Sequence, residues 1–145
     1  MKLRRFTLVY LAIIVAIIIV SALVQILADF DITNAGMALI PAMGASMVEG
    51  QAFAKAENRM PDTSEMWGFA RRASVVILGL ILLSAVAFSL ALPELQYMVS
   101  QPYGALFVAG ALLFQTVMSF LLVRFFLASG AKSVLRTRDR QEGRG

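Results

Sequence analysis

The chain has 145 residues, 59% of them hydrophobic and 15% charged, with a mean hydropathy of +0.78, whereas a soluble domain carries about a quarter charged residues. With no cysteine and no histidine, disulfides, thiol redox chemistry, the usual zinc sites and histidine-ligated haem are excluded, and no cofactor is expected. A formal charge of +4 resembles a nucleic-acid signal until the basic residues are placed on the chain.

Crossing a hydrocarbon core of about 30 Å takes about 20 helical residues. The first apolar run, residues 6–28, meets that length. Residues 1–5, MKLRR, could open a signal peptide, but the apolar stretch is too long and no small-x-small cleavage site follows it, so it is expected to be retained. The second run, residues 35–54, is less apolar, and Glu49 is the one acid inside any of the four runs. It is a span only if neighbours shelter its polar atoms. At about 100° per residue, Ala38, Ala42, Ala45 and Ser46 fall within about 60° of Glu49. The ladder Ala38, Ala42, Ser46, Gly50, Ala54 is a small-xxx-small pattern of helix contact. Glu49 is therefore aimed at another helix, with Ala85, Ser89 or Gly110 as candidate partners for the small face. Counting inward puts Glu49 near the end of the run that leads to Lys55, level with Arg71, Arg72 and Arg124. Arg71 or Arg72 is the preferred ion-pair partner, and Arg124 is expected to snorkel outward. Pro41, inside the run, is expected to kink it.

In the connection KAENRMPDTSEMWGFARR, Asp62 with Glu65 three residues later is a helix-start pattern, so the next helix is predicted to begin near Thr63. Trp67 falls at headgroup level. The third and fourth spans cover residues 73–92 and 105–127. Gln115 and Ser119 share a stripe of the fourth span, suited to interhelical hydrogen bonds. Asp29, Asp31 and Glu94, on the two connections without basic residues, are too sparse for a metal site.

Twelve of the thirteen basic residues lie before the first run, between the second and third, or after the fourth, and Arg124 sits at that same end of the last span. Short cytoplasmic connections carry the Lys and Arg excess. The expected fold is thus all-α: a polytopic membrane protein, four antiparallel transmembrane helices with both termini cytoplasmic. Residues 55–72 form a cytoplasmic loop and 128–145 a basic cytoplasmic tail. That tail is a topology anchor drawn to anionic headgroups, with no nucleic acid implied.

Gly50, Gln51, Phe53 and Ala54, followed by Arg59, Pro61, Glu65 and Trp67, spell Gly-Gln-x-Phe-Ala and Arg-x-Pro-x-x-x-Glu-x-Trp. The chain resembles, over nearly its whole length, a family of uncharacterised small four-span proteins of bacterial inner membranes. The resemblance implies that membrane and that fold, and no activity. No Ser/His/Asp set, paired intramembrane carboxylates or phosphate loop is present, so no enzyme is expected. Small multidrug exporters carry their acid in the first span, which has none here. Two functions are expected to compete: an accessory, assembly or interaction protein, with itself or a larger membrane complex as partner, and a small oligomeric transporter or channel using Glu49 as a proton or cation site.

Overall fold

The computed structural model describes residues 1–29, 36–91 and 93–143. The expectations for residues 30–35, Asp31 and Ala35 included, and for Leu92 and Arg144 lie outside them. Among the described residues the regular structure is all helical. Helix α1 spans Leu3–Ala28. A single 3-10 turn, Met37–Leu39, leads into α2, Ile40–Glu57. Helix α3 covers Thr63–Ala91, α4 Pro93–Ser100 and α5 Gly104–Glu142. Three of them, α1, α3 and α5, are long and apolar enough to cross a membrane. Helix α2, with 18 residues and Pro, Gly, Ser, Glu and Gln among them, is not one of these three.

Each boundary has a local cause. Pro41 sits in the first turn of α2, where its missing N–H would have had no partner in any case. The expected kink is therefore replaced by a helix start. Asn58 closes α2 in the left-handed region at φ 54°, a conformation Asn tolerates better than most residues. Helix α3 begins at Thr63, as the Asp62/Glu65 pattern indicates: Glu65 Oε2 accepts from the Asp62 backbone N–H at 2.7 Å, the return half of a capping box. The connection expected between the third and fourth spans holds a helix, α4, and then a tight turn. Tyr103 takes φ 68°, and a Cβ on Gly104 would lie 1.9 Å from the Met98 carbonyl oxygen. Only glycine fits there.

Long helices consecutive in the chain alternate in direction. Arg5 of α1 meets Glu49 of α2, and Ile13 lies against Gly44, so α1 and α2 are antiparallel. At the end that carries the basic residues, Phe6 packs edge-on against Phe69 of α3, with ring centroids 5.6 Å apart. Trp67 of α3 packs on Phe120 of α5. Towards the other end the four long helices line one cavity of 440 Å³, bounded by residues such as Ile14, Pro41, Ile81 and Gln115.

The core is correspondingly small and lies near the basic end: Phe6 and Tyr10, Ala42 and Ala45, Phe69, Ala70, Ala73 and Ile77, Val123 and Leu127. Elsewhere α1 and α5 expose Leu, Ile, Val and Phe, among them Ile26, Leu27, Phe107 and Phe114. Large exposed apolar faces are what helices in contact with lipid present. Lipid is as apolar as leucine, so helix association rests on close packing and polar contacts.

The closest packing is between α2 and α5. A Cβ on Gly50 would lie 2.1 Å from the Leu127 carbonyl oxygen, and one on Gly130 would lie 2.2 Å from that of Met47. Two glycines thus face two backbones across one crossing. On the small face of α2, Gly50 is met by α5 and Glu49 by α1. Gly110 has nothing near its α-carbon, Ser89 bonds the Val86 carbonyl and Ala85 lines the cavity. None of the three expected partners fills the role. Helix α5 has 39 residues, about 58 Å at helical rise against a hydrocarbon core of about 30 Å. The expected tail is therefore mostly the end of this helix, tied to α2 where Arg138 donates to the Asn58 side chain.

Candidate functional site

Glu49 is fully buried just past the middle of α2. Its Oε2 accepts from Arg5 Nε at 2.7 Å and its Oε1 from Arg5 Nη2 at 2.9 Å. The Lys2 backbone N–H also donates to Oε1. This is a two-pronged guanidinium–carboxylate pair with a third donor. The antiparallel α1–α2 hairpin produces it: the first turn of α1 and the last turns of α2 stand at the same end and height. Ser46, one turn before, is buried and returns its hydroxyl to the Ala42 carbonyl, so it leaves the carboxylate to α1.

Arg71 and Arg72, the preferred partners, do not reach Glu49. Both are exposed, and Arg72 Nε donates to the Gly68 carbonyl of its own helix at 3.3 Å. Neither forms a salt bridge with a described residue. Arg124, expected to snorkel outward, lies across Trp67, its guanidinium carbon 4.5 Å from the ring centroid. Its Nε is buried without a hydrogen-bond partner among the described residues, as is Ser119 Oγ. Arg5, the residue sequence reasoning missed, had been counted as a topology anchor. The available signal was the hairpin itself, which sets the start of α1 opposite the end of α2.

Of the small face, Ala42, Ala45, Ser46 and Gly50 are buried, and Ala38 is exposed at the cavity. Gln51 is half-buried, while Phe53 and Pro61 are buried. The second half of the signature forms one local knot. The Arg59 nitrogens reach both Glu65 carboxylate oxygens at 2.9 Å, and its guanidinium carbon lies 5.0 Å from the Phe53 ring centroid. Phe53, Ser64, Glu65, Gly68, Arg72 and Met1 also line a 340 Å³ cleft at this end. The signature thus has a structural content: it ties the end of α2 to the start of α3.

Glu65 precedes the third apolar run by two turns. Arg59, and then the Asp62 N–H, hold its carboxyl down at about 2 against an ordinary 4.5. A carboxyl whose folded value is depressed contributes stability above its ordinary value, and that contribution is lost as pH falls from about 4.5 through about 2. Acidification across that window is expected to loosen the α2–α3 connection, read as faster proteolysis or amide exchange at residues 58–66. In Glu65→Gln the connection is expected to be loose at neutral pH and insensitive to the same acidification.

Chemically, a carboxylate held by a bidentate guanidinium and a peptide N–H is a clamp between two helices. Comparison with models of known protein families, with curated proteins and with solved structures returns no match for this chain.

Proposed function

We propose that the chain is a non-enzymatic accessory, assembly or interaction protein of a bacterial inner membrane. In this reading α2 is a fourth span sheltered by α1 and α5, the helices form an antiparallel bundle, and both termini are cytoplasmic. The distribution of Lys and Arg supports that orientation. The signature from Gly50 to Trp67 supports membership of the four-span family it resembles.

One observation carries the choice of function: the Glu49 carboxylate is fully buried and both its oxygens are occupied by α1. A proton or cation carrier needs an acid that exchanges its partner with water or substrate along a path. Glu49 has a fixed cationic partner, and it is not among the residues lining the cavity between the helices. Pro41, at a helix start, is no hinge for a moving α2. What remains is a clamped helical scaffold with apolar outer faces and a rigid basic helix end, suited to packing against other membrane components.

Two measurements test this. In mild detergent the protein is expected to self-associate or to co-purify with a membrane partner, and a monomer that emerges alone counts against the reading. In proteoliposomes, wild type is expected to hold an imposed pH gradient as well as empty vesicles do, with Glu49→Gln no different. A proton or cation flux in wild type that Glu49→Gln abolishes would install the small oligomeric transporter or channel in its place.

A further inference from the structure

We propose that Trp67, Arg71 and Arg124 form a binding site for the headgroup phosphate of an anionic glycerophospholipid, on the seam between α3 and α5 at the basic end. The site is independent of the role assigned to Glu49.

Arg124 stands inside an apolar stretch, LLVRFFL, yet makes no ion pair with any described carboxylate. The described acids near this end that form pairs do so elsewhere: Glu49 with Arg5, Asp62 and Glu65 with Arg59, Glu142 with Arg138. A guanidinium at this depth is costly unless an anion meets it. Its position is fixed rather than free, because the plane stacks on Trp67 and Trp67 packs in turn on Phe120, 5.2 Å between ring centroids. Stacking uses the face of the guanidinium and leaves its N–H edge available for oxygen acceptors. Nε is itself buried without a partner, while the residue as a whole is only half-buried, so the terminal guanidinium nitrogens are the part that opens toward the surface of the seam.

Arg71 supplies a second cation. It follows Trp67 by four residues on the same face of α3, is exposed and forms no salt bridge with a described residue. Two unpaired guanidinium groups thus flank a tryptophan, which itself favours the headgroup level, and a phosphodiester offers the oxygen geometry that arginine forks match. The rest of the seam fits acyl chains: Leu121 and Phe125, beside Arg124 on α5, are exposed. A headgroup bound at the arginines would lay its tails along these side chains, which a soluble phosphate cannot do.

Trp67 is the one tryptophan in the chain, so its fluorescence reports the site directly. The protein is reconstituted in phosphatidylcholine vesicles that contain increasing fractions of phosphatidylglycerol or of phosphatidylcholine, each brominated high on the acyl chain. Brominated phosphatidylglycerol is expected to quench Trp67 at a severalfold lower fraction, with about fivefold preference for each basic residue engaged. The preference is expected to shrink in Arg124→Gln, to vanish in Arg71→Gln with Arg124→Gln, and to persist in Arg72→Gln, whose guanidinium is turned to its own helix. Arg124→Lys, which keeps the charge but not the planar fork, is expected to weaken it less than Arg124→Gln does, and excess inorganic phosphate is expected to leave it unchanged. Equal quenching by the two lipids in wild type overturns the proposal. So does a preference that survives in the double variant, disappears equally in Arg72→Gln, or is erased by inorganic phosphate.

Discussion

Arg5→Ala is expected to be among the most destabilising single substitutions in the chain, at about 3 kcal/mol by thermal or denaturant unfolding in detergent micelles. Truncating one member of a buried pair strands the other, typically at a cost of about 3–5 kcal/mol. Arg5 is 40% exposed while Glu49 is fully buried, so water reaches one side of the pair and the lower end of that range applies. Glu49→Gln leaves a neutral amide that can still accept one hydrogen bond, and its expected loss is smaller, about 1–2 kcal/mol. Replacing both residues by leucine removes the stranded charge altogether and is expected to cost less than Arg5→Ala alone. Lys2→Ala is expected to be silent, since Lys2 contributes its peptide N–H. Equal small losses for Arg5→Ala and the double variant would show that the pair does not clamp α1 to α2.

The α2–α5 crossing predicts an effect of similar size by a different route. At Gly50 and Gly130 an added methyl group would meet carbonyl oxygens at 2.1 and 2.2 Å. The obstacle is backbone in both cases, so relief requires the helices to separate. Overpacking of a side-chain core costs about 1–3 kcal/mol, and Gly50→Ala and Gly130→Ala are expected at or above the top of that range. Gly68, Gly79 and Gly110 have nothing within 4 Å of an added Cβ. Alanine there is expected to be neutral or stabilising by up to about 1 kcal/mol, because glycine is the poorer helix former. The same unfolding assay ranks all five, and a Gly50→Ala indistinguishable from Gly110→Ala would refute the close crossing.

The three long apolar helices were legible in the sequence because uninterrupted apolar length is a strong signal: α1, α3 and α5 stand where hydropathy puts them. The start of α3 was legible too, since a capping box is a local device whose residues all lie within one turn. What the sequence did not disclose is which faces meet. Helical angle showed that Glu49 shares a face with Ala42, Ala45 and Ser46, but an angle on one helix carries no information about the neighbour standing opposite. Arg71 and Arg72 lay at a suitable height but neither pairs with Glu49; Arg5 lay at the same height and was read only as a charge at an end. Arg124 was turned outward by amphipathic reasoning, which could not show that the ring of Trp67, on another helix, stacks on its guanidinium. Helix α4 was hidden because eight residues starting at proline look like a loop, although Leu95, Met98 and Val99 stand at helical spacing. The tail read as a loose anchor because charge density is high there, while its helix is continuous with α5 and is held by Asn58 of α2.

The Arg5–Glu49 pair also has a consequence for the order in which the chain is made. Arg5 and Lys2 leave the ribosome before Glu49, so when the second hydrophobic segment reaches the insertion machinery its carboxylate already has a counter-ion waiting at the head of the first. In the four-span reading proposed above, the α1–α2 hairpin enters the bilayer with its buried carboxylate already paired to Arg5. The Gly50–Gly130 contact, by contrast, waits for the last helix to be synthesised. Insertion and final assembly then rest on two different contacts made at two different times, so a substitution at Arg5 should act on membrane entry and one at Gly130 on the finished structure.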